Sequence, residues 1–273
     1  MRRDVRGRVV LVTGASRGIG KRAAQRLAKL GARLALTSRS ADDLDKIASD
    51  LRAAGTEVET FPADLTKPED RSKMVEAVIQ RFGGLDVLLN SAGVCSFGEF
   101  SSSSEEIARQ VLEVNFFAQV ELIRLCVPHL TRCGDRGGQP AIVNVASLCG
   151  RWGIPSLSEH CGSKHALVGL TEALRCEFER FGIDVLLVLP ALVQSDDLNR
   201  HLLRNEGKIY LDFEHAQPSD DVAAVVVNGL MRNRTESTTG FVSWGVCLFR
   251  RLFPRSVRFF MQRKVWKFAK RNG

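Results

Sequence analysis

The stretch VVLVTGASRGIG, residues 9–20, joins an apolar strand-like run to an amphipathic helical pattern through three glycines. Few local patterns restrict a fold as tightly. Gly14 permits the tight turn after the strand, Gly18 removes the Cβ that would block a phosphate, and Gly20 lets the helix pack closely on the sheet. Ser16, Arg17 and Ile19 complete the loop. The helix start then presents unpaired N–H groups and the positive end of its dipole to an anion, so the expected ligand is a dinucleotide pyrophosphate.

The rest of the chain repeats the alternation. Val9–Thr13, Arg33–Thr37, Val58–Pro62, Val87–Asn90, Ala141–Val145 and Asp184–Leu189 read as strands. Helical periodicity fills Ile19–Leu30, Asp42–Ala54, Lys67–Phe82, Glu105–Leu130, Glu159–Phe181 and Ser219–Met231. Strands alternating with helices predict a parallel sheet covered on both faces. With right-handed crossovers, this is a single Rossmann-type, doubly wound α/β domain whose crevice lies at the strands' C-terminal ends. RCGDRGGQP, residues 132–140, reads as a solvent loop. Residues 192–217 follow a proline with weak periodicity and suit a lid over the crevice.

The second strand ends in Ser38 and Arg39, where an NAD site would carry an acid for the ribose 2′-OH. Two guanidiniums, Arg17 and Arg39, with the Ser38 hydroxyl suit a 2′-phosphate, which arginine can grip through charge-assisted bonds. The expected cofactor is NADP(H).

These motifs resemble those of the short-chain dehydrogenase/reductase family over about residues 7 to 244. Thr13-Gly14-x-x-x-Gly18-Ile19-Gly20 matches its fingerprint, and Asp64-Leu65-Thr66 its adenine-binding turn. Asn90-Ser91-Ala92-Gly93 matches its NNAG motif with one substitution. The resemblance implies interconversion of a carbonyl and an alcohol by a homodimer or homotetramer. It also implies a catalytic set of Asn, Ser, Tyr and Lys. Asn115 fits the asparagine that holds a relay water, Ser147 the serine that bonds the substrate oxygen, and Lys164 the lysine that binds the ribose and tunes the tyrosine. After the sixth strand, Pro190-Ala191-Leu192-Val193-Gln194-Ser195 stands where the family has PGxVxT, which contacts the nicotinamide; Pro190, Val193 and Ser195 are the matching positions.

The tyrosine position is occupied by His160. Histidine starts near about pH 6.5 and needs no tuning to titrate, and the charge of Lys164 would push it lower still. Its nitrogen also stops short of a phenol oxygen by on the order of 2 Å, and a ~1 Å misplacement can cost ~10²-fold. Three readings stay open: a weakened or water-bridged reductase, a cofactor-binding protein without turnover that senses or scaffolds, and an active enzyme with a changed residue. The sole tyrosine, Tyr210, falls in the lid segment. No spaced set of metal ligands surrounds His160, Cys161 and His165, so no metal site is expected.

The net charge of +8 is concentrated at one end. Phe241–Gly273 carries nine Lys and Arg and no acid, which leaves the preceding residues at −1. Residues 1–244 therefore read as the catalytic domain and 245–273 as a basic amphipathic tail. Val257, Phe260, Met261, Val265 and Phe268 recur at helical steps between the cations, as in interfacial helices. A membrane surface is one destination for this stripe; its own domain or a second subunit is another. No nucleic-acid-binding fold accompanies the charge, so nucleic acid is not an expected partner. No apolar run is long enough to span a bilayer, and the N-terminus leads into a strand without a signal-peptide pattern. Seven cysteines without a CxxC pair suit a reducing, cytoplasmic setting, with peripheral membrane contact through the tail. The apolar lid and tail suggest a bulky, lipid-like carbonyl as substrate.

Overall fold

The computed structural model describes residues 3–194, 202–205 and 216–240, together with residues 245, 249, 252, 253, 255, 256, 258, 259, 262 and 263. Strands β1 (Val9–Thr13), β2 (Arg33–Thr37), β3 (Val58–Thr60) and β4 (Val87–Asn90) form half of the main sheet. After the short β5 (Ser96–Phe97) come β6 (Ala141–Val145) and β7 (Asp184–Leu189). Two short strands, β8 (Val193–Gln194) and β9 (Arg204–Asn205), precede β10 (Gln217–Pro218) and β11 (Glu236–Thr238). The main sheet runs β11-β7-β6-β4-β1-β2-β3, and every pairing in it is parallel. Strand order reverses between β1 and β4, which is where such a sheet opens its ligand crevice.

The helices are α1 (Gly18–Lys29), α2 (Ala41–Ala53), α3 (Pro68–Phe82), α4 (Glu105–Leu112), α5 (Ala118–Asp135), α6 (Ser158–Glu177) and α7 (Ser219–Met231). Residue alternation along the strands divides the core in two. Val10, Val12, Leu34 and Leu36 pack with Leu27 of α1, Ile47 of α2 and Val226 of α7. Val9, Leu11 and Ala35 point the other way, onto Val78 of α3 and Leu122 of α5. Both faces are covered, so the strands are apolar almost throughout, as parallel sheets require. Each fully buried leucine contributes roughly 1.5–3 kcal/mol.

The structure departs from the sequence reading in several places. Phe61 still donates its N–H to Leu36 O, but Pro62 has no N–H to continue the ladder, so β3 ends at Thr60. The helix expected over Glu105–Leu130 is interrupted by a π-helical turn, Glu113–Phe117, that carries Asn115. It also runs on to Asp135, so 132–140 is not simply a solvent loop: Cys133 donates to Asp86 Oδ1 at 3.0 Å, and Gly138 lies so close to Cys133 that a Cβ there would collide. The helix expected over Glu159–Phe181 instead closes at Glu177 and passes into a 3₁₀ turn, Glu179–Phe181. β11 was not legible, because Glu-Ser-Thr offers no apolar run. Within the lid, β8 pairs with β10 and β9 with β5, and Leu203 N donates to Cys95 O at 2.9 Å; residues 195–201 and 206–215, Tyr210 among them, lie outside the described residues.

Candidate active site

The C-terminal ends of β1, β2 and β3 are tied together. Ala15 N donates to Thr37 O at 3.1 Å, and Ala63 N donates to Ser38 O at 3.0 Å. Gly14 (φ +64) and Gly18 (φ +52) take the left-handed conformation that favours glycine. A Cβ on Gly14 would lie 2.9 Å from Ala92 Cα, so the turn after β4 is seated on the loop. A Cβ on Gly20 would overlap the Gly14 carbonyl. Thr13 Oγ1 accepts from both Ser91 N and Ala92 N at 3.0 Å, fixing the same contact from the other side. Ile19 packs on the core, while Ser16 and Arg17 remain half-buried in the turn. Each of α2 to α7 has an acid in its first turn; α1 has none, which leaves its N-terminal dipole uncompensated for a phosphate.

Ser38 is half-buried and donates to Ser40 O at 3.3 Å, while Arg39 beside it is exposed. Burial acts to raise the Asp64 pKa. Hydrogen bonds from Thr66 and the charge of Arg39 outweigh it and hold the carboxyl below its ordinary value. Leu65 is buried and its carbonyl accepts from Arg71. The open glycine loop at the start of α1 and the adjoining end of β2, with Ser38 and Arg39, fit a dinucleotide.

The candidate reaction centre draws on the end of β4, the turn after β6, the π-helical turn and α6. Asn90 donates to Asn144 Oδ1 on β6, and Asn144 donates to Thr171 Oγ1 on α6, each at 3.0 Å. This buried polar chain sets α6 against the sheet. Gly150 fits against the helix backbone, where a Cβ would lie 2.7 Å from Lys164 O, and this holds the Ser147 loop on α6. Ser147 Oγ accepts from Cys149 N at 3.1 Å and lies 3.5 Å from Pro190 O. Gly93 separates Asn115 from Lys164: a Cβ there would stand 3.2 Å from Asn115 Oδ1 and 3.7 Å from Lys164 Nζ.

Asn115 is fully buried, and its side chain is committed. Oδ1 accepts from Val94 N at 2.8 Å; Nδ2 donates to Val94 O at 2.9 Å and to Ser163 Oγ at 3.0 Å. Ser163 in turn donates to His160 O at 2.8 Å. π-turns of this kind cluster at functional sites because they re-aim one side chain. His160 Nδ1 lies 3.2 Å from Val94 O. Lys164 Nζ donates to Val145 O at 3.1 Å. Burial, then the charge of Lys164, pushes the His160 imidazole down to about 4, against the opposite pull of the Val94 hydrogen bond. Burial also lowers Lys164 to about 8, with Cys149 and Cys95 acting the other way.

The structure therefore gathers Asn115, His160 and Lys164 around Gly93 and Val94, while Ser147 lies beside Pro190 on the loop that Gly150 seats against α6. Ala92 O accepts from Gln119 Nε2 at 2.9 Å, and Val193 is held in the β8–β10 pair. Ser195 lies outside the described residues, as do Val257, Phe260, Met261, Val265 and Phe268 of the tail stripe. Sequence reasoning missed Ser163 and the Val94 carbonyl as parts of the site. Ser163 could have been suspected from its place beside Lys164; a main-chain carbonyl leaves no signal in sequence.

A short chain dehydrogenase family model matches residues 8–206. The chain is 32% identical over 235 residues to 11-beta-hydroxysteroid dehydrogenase-like 4A of Arabidopsis thaliana, covering 85% of this chain and 76% of that protein. It is 33% identical over 199 residues to human dehydrogenase/reductase SDR family member 7, covering 71% and 58% of the two chains. Among solved structures, a short-chain dehydrogenase/reductase from Burkholderia phymatum in complex with NAD superposes with a TM-score of 0.81 and 26% identity, over 91% of this chain and 94% of that one. A short-chain dehydrogenase from Sphingobium yanoikuyae in complex with NADPH gives 0.76 and 28%, over 91% and 95%.

Proposed function

This chain belongs to the short-chain dehydrogenase family, and from that premise we propose that it is an NADP(H)-dependent oxidoreductase acting on the carbonyl–alcohol couple of an apolar substrate. The observation that carries the cofactor choice is the end of β2: Ser38 and Arg39 stand beside the glycine loop where a ribose-binding acid would stand for NAD. Gly14, Gly18 and Gly20 leave room for the pyrophosphate, and Asp64 and Leu65 border the adenine. Lys164 holds the nicotinamide ribose, with Asn90, Ala92, Gly93, Pro190 and Val193 around the ring. When bound, the cofactor supplies or accepts a hydride. Ser147 orients the substrate oxygen, and Asn115 fixes the Val94 turn that carries His160's anchor. Phe97, Leu157, Cys149 and Cys161, with Leu202 of the lid, form an apolar cluster next to His160, and this supports an apolar substrate.

A second reading, binding without turnover, is favoured by one specific contact. A neutral imidazole has a single N–H, and His160 directs Nδ1 at Val94 O, where a proton donor to a substrate carbonyl would be needed elsewhere. NADPH oxidation against a panel of apolar ketones, beside NADPH binding followed by fluorescence, separates the two. Turnover of any ketone supports the first; binding with no turnover supports the second. We further propose a cytoplasmic homo-oligomer whose tail meets a membrane surface. Phe249, Leu252, Phe253 and Phe259 are exposed there among cations. Each cation near anionic lipid contributes about 1 kcal/mol. Liposome flotation should recover the full chain and leave a chain lacking 245–273 behind; identical recovery would remove the membrane reading.

A further inference from the structure

The hydrogen-bond roles around His160 are fixed by what its neighbours can accept. Val94 O can only accept, so the 3.2 Å contact places the imidazole proton on Nδ1. A neutral ring then presents a lone pair at Nε2. No described residue donates to that nitrogen, and His160, half-buried, is not fully closed off from a ligand. Of the nearby donors, both Asn115 N–H groups go to Val94 O and Ser163 Oγ, and Lys164 Nζ directs one of its three N–H bonds at Val145 O. Ser147 Oγ takes the Cys149 N–H and faces Pro190 O.

Protonating Nε2 would turn it into a donor, but burial and the Lys164 charge oppose a cationic ring. At neutral pH the position that a phenol O–H occupies in the family is therefore an acceptor. A ketone oxygen has only lone pairs and would face the Nε2 lone pair. A hydroxyl would donate to it.

We propose that His160 converts this pocket into a site that selects a hydroxyl-bearing ligand over the matching carbonyl compound, with Nε2 accepting the ligand's O–H. The inference rests on the oxidoreductase reading and sharpens it: of the carbonyl–alcohol couple, the alcohol is the partner this site recognises. One neutral hydrogen bond gained, against one repulsive contact avoided, corresponds to a preference of roughly tenfold.

The test uses matched pairs: cyclohexanol with cyclohexanone, indanol with indanone, and decalol with decalone. Each is titrated into the full chain by calorimetry, alone and with either NADPH or NADP+. Combining NADPH with the alcohols and NADP+ with the ketones gives complexes that cannot react, so binding is read without turnover. The alcohol of a pair should bind about tenfold more tightly. His160→Phe should erase the preference, and His160→Tyr, which restores a phenol donor, should reduce or invert it. In a parallel measurement on protein carrying ¹⁵N-labelled histidine, the His160 signals, assigned by their loss in His160→Phe, should show Nδ1 protonated and Nε2 bare at neutral pH. The Nε2 signal should move with the alcohol and stay with the ketone. Equal affinity within every pair, no binding of any compound, or a proton on Nε2 would overturn the proposal. Failure of the cofactor reading appears separately, as absent NADPH and NADP+ binding in the same titrations.

Discussion

His160 and Asn115 converge on a single acceptor: Asn115 Nδ2 donates to Val94 O at 2.9 Å, and His160 Nδ1 lies 3.2 Å from the same oxygen. Ser163 closes the ring of contacts, accepting from Asn115 and donating to His160 O. The imidazole is thus turned toward the protein's own backbone, onto an oxygen that Asn115 also holds. The side chain at the expected proton-donor position is therefore held by the turn beside it.

Replacing that residue tests how much the framework retains. His160→Tyr should leave NADPH affinity within about twofold, because no cradle contact passes through the ring. It should raise the turnover of a bound apolar ketone by roughly 10²-fold or more, since it restores both reach and an acid that Lys164 can tune. Stopped-flow NADPH oxidation measures it. A histidine protein that turns over faster than the tyrosine variant would make the imidazole the true acid–base group.

Stability should depend on pH at both ends of the range. Folded His160 titrates at about 4, below its ordinary 6.5. Between those values the unfolded imidazole holds a proton that the folded one refuses, so stability falls as pH drops from 6.5 to 4. The full loss is at most about 3 kcal/mol. Lys164, at about 8 against an ordinary 10.5, gives the same sign in an alkaline window, with stability rising from pH 8 to 10.5. Urea melts of the wild type and His160→Phe should diverge in their acid slopes, and Lys164→Met should flatten the alkaline limb. Parallel acid limbs for wild type and His160→Phe would refute the assignment.

The parts of this site that were legible in sequence are those whose chemistry demands a residue type at a fixed spacing. Gly14 and Gly20 are such cases, because no other residue fits against Ala92 and the Gly14 carbonyl. The main strands are another, since a sheet buried on both faces needs apolar runs such as Val185–Leu189. β11 was illegible because an edge strand needs only one buried residue, and Ser237 supplies it. The π turn at Asn115 was illegible for a different reason. Its apolar spacing continues the helix, and only the hydrogen bonds from Asn115 to Val94 and Ser163 show why one extra residue is accommodated. His160 was assigned to the tyrosine position by register alone, and its direction came from a main-chain carbonyl that no residue type encodes.

Gly20→Ala should disturb both fold and cofactor site. The added Cβ would overlap the Gly14 carbonyl oxygen and stand 2.8 Å from its carbon, so α1 must move away from β1. Overpacking of this kind costs ~1–3 kcal/mol. A melting point several degrees lower, with weaker NADPH binding, is expected. Gly169→Ala, on the exposed side of α6 with open space around it, is the control and should leave both unchanged or raise the melting point. Equal melting points for the two variants would mean that the loop and helix are not in close contact.

The choice between NADP(H) and NAD(H) turns on Arg17 and Arg39. Charge-assisted hydrogen bonds contribute about 1.5–3 kcal/mol each. Arg39 is exposed, and solvent and salt screen its share, so the lower end applies to it. Arg39→Ala should therefore weaken NADPH by about tenfold and leave NADH within about twofold. Arg17→Ala, within the glycine loop, should weaken NADPH more, because its half-buried position exposes it less to screening. Raising the salt concentration should erode NADPH affinity in the wild type and erode it less in the double variant. Fluorescence titration with both cofactors reads all of these. If the unmodified protein binds NADH as tightly as NADPH, the arginines are solvated surface charges and the cofactor assignment fails. A loss of both affinities together would instead trace Arg17 to the shape of the loop, since a 2′-phosphate contact cannot weaken a cofactor that lacks the phosphate.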